Sequence, residues 1–304
     1  MSENFNRIIP RYCKFLLVLI LAVVLSVGIA CGTSSVNVVR TGIERGEALV
    51  QANPDNPDLR IALGDLYLSD GQYYQAIDQY NETLRLVNNH EGALLGLGVA
   101  YKSLGQEGVA IDYFNKVVAI GKDSEMAKMN QKLQGAYYYL GEVYLKRGER
   151  DQAIEQLKNS IALNPADADA LYLLGRAYQD GNAYEEATTY YSQAIAYVPN
   201  FLEVYEGMRQ CYQKLGNKPL AAYAQGMLAL FSGEYQEALQ QLEVALAAES
   251  DIANAFWGLG YAYERTGQVR QAKDAYEKAL GVDPNHILAK SAISRLDRVF
   301  PNSG

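Results

Sequence analysis

Histidine and cysteine are scarce in this 304-residue chain, which holds two of the first and three of the second. Three cysteines cannot form a disulfide scaffold, and two histidines leave little room for an imidazole metal site or a histidine-dependent enzyme. Basic charge is also short: 27 Lys and Arg stand against 35 Asp and Glu, with a pI near 5.0. A general nucleic-acid binder needs a basic face, so that class is excluded. Phenylalanine and tryptophan are few, at 7 and 1, whereas tyrosine reaches 24. Tyrosine in such excess points to rings that keep one end in water. With 49% hydrophobic and 20% charged residues, the chain can bury a sizeable core and is not a disordered one.

The amino terminus has the layout of an export signal. Arg7, Arg11 and Lys14 precede an uncharged apolar run, Phe15–Ala30. Sixteen residues at about 1.5 Å rise make roughly 24 Å of helix, slightly short of a ~30 Å hydrocarbon core. The run ends Gly28-Ile29-Ala30-Cys31-Gly32, which resembles the bacterial lipobox, although Gly28 stands where leucine is usual. That resemblance implies lipidation at Cys31. The other reading is an uncleaved anchor, because no charge occurs between Phe15 and Val39. Both place everything after Cys31 outside. Residues 1–30 carry three basic groups and one acidic, so the remainder has 24 and 34, a net charge of −10. An anionic membrane surface repels such a body, and only the amino terminus is expected to touch lipid.

The rest repeats itself. Leu-Gly followed by Tyr three residues later occurs at Leu63-Gly64, Leu97-Gly98, Leu140-Gly141, Leu174-Gly175 and Leu259-Gly260. Alanine follows each glycine by twelve residues, at Ala76, Ala110, Ala153, Ala187 and Ala272. Four further on comes Tyr80, Phe114, Leu157, Tyr191 or Tyr276, and Pro165, Pro199 and Pro284 close units. These residues resemble the tetratricopeptide repeat (TPR), a pair of antiparallel helices in about 34 residues. The resemblance implies an all-α fold, a right-handed superhelical solenoid of antiparallel helix pairs. Each pair is amphipathic, so stacking against neighbours is what buries its face.

The expected organisation is a signal or anchor at 1–30, a linker at 31–37 and a capping helix within 38–56. A solenoid over 57–286 follows, with units near 57–90, 91–124, 134–167, 168–201 and 253–286, an irregular stretch at 202–252, and a closing helix and tail at 287–304. Nine residues, Glu125–Leu133, are inserted between the second and third units. The spacing of Met126, Met129, Leu133, Tyr137, Leu140 and Tyr144 predicts one lengthened helix there. At 202–252 a single helix near Lys218–Phe231 stands between a first-type and a second-type helix. Either it serves both neighbours or the solenoid takes a three-helix step.

Chemistry finds little purchase. His90 and His286 both take the last position of a repeat, which makes them turn residues. Gly96-Leu97-Gly98 and Gly258-Leu259-Gly260 lack the third glycine of a dinucleotide loop and lie inside helices. Glu185-Glu186 reads as a solvated face, and Cys211 as a buried structural thiol. No enzyme, cofactor, catalytic residue or metal site is expected.

In TPR proteins the first helices line a concave surface where ligands bind, so the resemblance assigns groove positions. Three residues before each repeat glycine stand Ile61, Leu95, Tyr138, Tyr172 and Trp257, with Tyr223 and Glu206 in the irregular stretch. One residue after it stand Asp65, Val99, Glu142, Arg176, Met227 and Tyr261. Tyr138, Glu142, Tyr172, Arg176, Tyr223, Trp257 and Tyr261 are the expected partner-binding set, taking an extended peptide or a helix. The functional expectation is a non-enzymatic membrane-anchored scaffold in assembly of a bacterial cell-envelope complex, with its repeats on the extracytoplasmic side. Its rivals are a glycan-binding export module whose rings stack on sugars, and an accessory subunit of an envelope enzyme.

Overall fold

The computed structural model describes residues 35–249 and 251–300. Cys31 and the expected export signal or anchor at 1–30 lie outside the described residues. Among those residues there are fifteen α-helices and no strand. The chain divides into two compact units, one up to Ala136 and one from Tyr137 onward.

In the first unit α1 (Ser35–Ala52) packs on α2 (Pro57–Ser69), which pairs with α3 (Tyr73–Leu86); α4 (Glu91–Ser103) then pairs with α5 (Glu107–Gly121). Local chemistry starts each first helix. Asn56 caps α2 by accepting from the backbone N–H groups of Asp58 and Leu59, and Pro57 occupies the first turn, where its missing N–H costs nothing. His90 caps α4 through Nδ1, which bears out the turn reading of that residue. Between the two helices of a pair the chain reverses through a left-handed residue, such as Gly71 at φ +78°. Asn182 fills that place one time, at φ +60°, as the side chain that best tolerates it.

The repeat glycines face the large residue sixteen positions on. A Cβ at Gly64 would stand 2.6 Å from Tyr80 Cε1, so any other residue forces the two helices of the pair apart. Tyr80 itself is fully buried with Leu63, Leu97 and Tyr67 around it. Two of the tyrosines that end the motif are staples instead. Tyr67 donates to Glu47 Oε1 and Tyr263 to Glu243 Oε1, each twenty residues back on the preceding helix.

The insertion does not form one lengthened helix. Residues 127–129 make a single 3-10 turn, and α6 (Gln131–Lys146) begins only after Asn130. The Asn130 carboxamide accepts from the N–H groups of Lys132 and Leu133 at 2.9 and 3.1 Å, a cap that a continuous helix could not contain. Met126 and Met129 are therefore exposed rather than packed in register with Leu133.

The second unit continues with α7 (Arg150–Leu163), α8 (Ala168–Asp180), α9 (Tyr184–Tyr197), α10 (Leu202–Lys214), α11 (Lys218–Ser232), α12 (Tyr235–Ala248), α13 (Ala253–Arg265), α14 (Val269–Val282) and α15 (Ile287–Val299). Helix α11 serves both neighbours. It packs on α10 as a second helix and on α12 and α13 as a first helix. Gly226 approaches Leu242 as Gly175 approaches Tyr191, and Gly258 touches the other side of Leu242 as Gly207 touches the other side of Tyr191. Arg209, standing where glycine is usual, meets no large apolar residue sixteen positions on, because Gln225 is there. Its guanidinium pairs with Glu206, while Gln225 donates to Glu237.

Candidate partner-binding surface

Three residues before each repeat glycine, the side chain points at the start of the next first helix. The chemistry of that next helix decides whether the ring stays open. The four expected rings at this position, Tyr138, Tyr172, Tyr223 and Trp257, divide on this rule.

Tyr138 on α6 is half-buried and edge-on to Tyr139, with ring centroids 5.3 Å apart. Its hydroxyl is held well above the ordinary tyrosine pKa, first by burial and then by the negative charges of Glu142, Asp169 and Asp167. Glu142 is half-buried beside it. Tyr172 on α8 is half-buried against Phe201 at 5.1 Å, and the exposed Arg176 guanidinium lies 5.9 Å from its ring centroid. Burial raises the Tyr172 pKa, and Glu203 opposes Arg176 in acting on it.

Tyr223 and Trp257 are corrections to the expected strip. Tyr223 is 4% exposed and packed edge-on to Tyr205, and burial raises its hydroxyl pKa against the opposing influence of Asn254 at the start of α13. Trp257 is 8% exposed. It is enclosed by Phe231 at 6.2 Å, Tyr261 at 5.7 Å and the His286 ring at 6.5 Å. His286 is rigidly placed for this. Its Nδ1 caps α15 by accepting from Ala289, so Nε2 carries the proton and donates to Asn254 Oδ1 at 2.9 Å. Both rings are core, because the following helix brings an amide or an imidazole over them. Tyr261 is half-buried on the flank of Trp257.

Phe201 and Phe231, which complete these clusters, escape a reading confined to the two groove positions. Their signal is that each stands immediately before, or near the end of, a first-type helix. Asp65 in the first unit has an unusual environment: Tyr80 donates to its Oδ1 at 2.7 Å, yet burial outweighs that bond and the charge of Lys132 and lifts its pKa to about 6. Among the described residues no group of three or more His, Cys, Asp or Glu side chains could hold a metal ion. No helix there is long and apolar enough to cross a membrane.

Comparisons with known proteins agree with this architecture. Family models for the TPR repeat and the tetratricopeptide repeat match residues 42–125, 141–200 and 223–287, more than half of the chain. The chain is 27% identical to lipopolysaccharide assembly protein B of Escherichia coli over 157 residues, covering 51% of this chain and 39% of that one. It is 24% identical to anaphase-promoting complex subunit 3 of Schizosaccharomyces pombe, covering 82% of this chain and 34% of that protein. It therefore spans about a third of the length of the curated relatives it matches. The solved C-terminal part of a TPR repeat-containing protein from Cytophaga hutchinsonii superposes with a TM-score of 0.53 at 18% identity, over 93% of this chain and 98% of that one, and so shares its fold. Glycine spacing, helix pairing and family models converge: the chain belongs to the tetratricopeptide repeat family.

Proposed function

We propose that this protein is a non-enzymatic scaffold that holds a segment of a partner protein along the first helices of its second unit. The observation that carries the reading is the pair of half-buried rings, Tyr138 and Tyr172, one repeat apart and set among Glu142, Arg176 and Glu203. Such rings bury much area at low rotamer cost while their hydroxyls and flanking charges select what binds. The enclosure of Tyr223 and Trp257 removes two of the rings a sugar would stack on, which favours a protein segment over a glycan.

The export segment and its Cys31 favour attachment to a bacterial membrane through the amino terminus alone, with the repeats on the extracytoplasmic side. A role in assembling an envelope complex is compatible with the likeness to lipopolysaccharide assembly protein B. Attachment would raise the effective concentration of a captured segment near other envelope proteins. A photocrosslinker at Tyr172 in living cells, read by mass spectrometry, is expected to trap a defined envelope protein. Trapping of glycan, or of nothing above a control placed at the exposed Tyr74, would refute the scaffold. Fatty-acid labelling that persists in Cys31→Ser would exclude lipidation there and leave the anchor.

A further inference from the structure

We propose that Met126 and Met129, on the turn inserted between the second and third units, are a site of reversible methionine oxidation, and that donors of the adjoining cavity hold the sulfoxide formed at Met129. The inference is independent of the scaffold reading. A regular step crosses from a second helix to the next first helix in four residues, as 164–167 do between Leu163 and Ala168. Between Gly121 and Gln131 the chain takes nine, 122–130. The two methionines stand in that excess. They are 60% and 76% exposed, against 2% for Met208 and 1% for Met227.

Their placement is fixed by the turn. The Met129 N–H donates to the Met126 carbonyl at 2.9 Å, and residues three apart in a 3-10 turn eclipse, so both thioethers project to the same side. The turn is pinned at its end, where Asn130 Nδ2 donates to Glu91 Oε2 at 2.9 Å. A thioether with this access is a target for a hydroperoxide. The sulfur attacks the O–O bond and loses two electrons, an S–O bond forms, and the second oxygen leaves with the peroxide proton as water. The Cys211 thiol does not compete. It is fully buried, and burial pushes its pKa up to about 11, so its reactive thiolate is scarce.

Met129 also lines a cavity of about 440 Å³ in the first unit, with His90, Glu91 and Lys132. His90 accepts from the Ala93 N–H through Nδ1, so its Nε2 carries a proton and donates. Lys132 brings an ammonium to the same wall. A thioether offers these donors only a weak acceptor, whereas a sulfoxide is a polar one. Oxidation therefore turns an apolar side chain at the rim into one that fastens the inserted turn to the starts of α4 and α6.

The test treats the full-length chain with hydrogen peroxide and follows it by peptide mass spectrometry and amide hydrogen exchange. Sulfoxide is expected at Met126 and Met129 roughly tenfold faster than at Met208 and Met227, and methionine sulfoxide reductase is expected to remove it. After oxidation the amides of residues 124–133 are expected to exchange about threefold more slowly, with exchange around Trp257 unchanged. Met129→Leu should abolish this slowing, while Met126→Leu keeps it. Oxidation of all four methionines at similar rates would overturn the site. Unchanged or faster exchange at 124–133, or a slowing that survives Met129→Leu, would overturn capture of the sulfoxide by the cavity. The wild-type measurements decide both points even where a leucine variant folds poorly.

Discussion

Tyr172 and Trp257 occupy the same position in two units of the repeat, yet one ring is half-buried and the other is enclosed. Their own helices are equivalent: each stands three residues before a glycine that touches a large residue of the second helix, Tyr191 for one and Tyr276 for the other. The difference comes from the next first helix. After Tyr172 it brings Phe201 to one side of the ring and an exposed Glu203. After Trp257 it brings His286, locked by its cap and by Asn254, and Phe231 closes another side. A repeat position is therefore a direction and not an environment, and the same ring stands accessible or packed according to its cover.

The comparison breaks most easily at its buried end. Trp257→Ala removes a large enclosed ring and is expected to cost about 3–5 kcal/mol in urea denaturation, against about 1 kcal/mol for Tyr172→Ala. Equal losses would show that the two rings are alike. Because Trp257 is the only tryptophan, its emission should also be blue-shifted and shielded from acrylamide. Next in size, Gly175→Ala drives a Cβ to 2.5 Å from Tyr191 Cε1, and Tyr191 lies 6.1 Å from the Tyr172 ring. An expected loss of about 1–3 kcal/mol should be accompanied by weaker partner capture, since the floor under Tyr172 shifts.

His286→Ala sharpens the contrast, because it strips the cover from Trp257 and a cap from α15 together. About 1–2 kcal/mol should be lost, with a red shift in Trp257 emission; an unmoved spectrum would mean that the imidazole is not the cover. The smallest effect extends the question to a polar side chain. Asp65 holds the position that Arg176 holds three units later in the repeat frame, but burial lifts its pKa to about 6. The folded state then binds more protons than the unfolded chain between about pH 4 and pH 6, so this group's contribution to stability falls as pH rises through that window. Melting of wild type against Asp65→Asn should differ by on the order of 1 kcal/mol between pH 4.5 and pH 7, with the wild type gaining at the acid end. Parallel pH profiles would place Asp65 in solvent-like surroundings.

Legibility followed the range of the interaction involved. Pairing of helices was readable because its determinants recur within 34 residues: a glycine, an alanine and a large residue sixteen positions after the glycine. The dual role of α11 was half-readable, since Gly226 and Ala238 fit one frame while the place of Arg209 and Gln225 in the other required knowing which helices touch. The turn at 125–130 misled the spacing argument. Met126 and Met129 keep helical period, but Asn130 offers its carboxamide to the N–H groups of Lys132 and Leu133 and so starts the helix afresh. Period records which faces could align, and capping decides where alignment begins.

By itself the sequence determined the family, the helix-pair frame and the identity of the residues that point along the first helices. Those follow from short-range sterics, in which only small residues permit the approach of two helices. Which of those residues stays accessible was decided by tertiary structure. Exposure at Tyr138, Tyr172, Tyr223 and Trp257 depends on side chains about thirty residues further on, and on whether they arrive as carboxylates that keep water near or as rings and amides that exclude it.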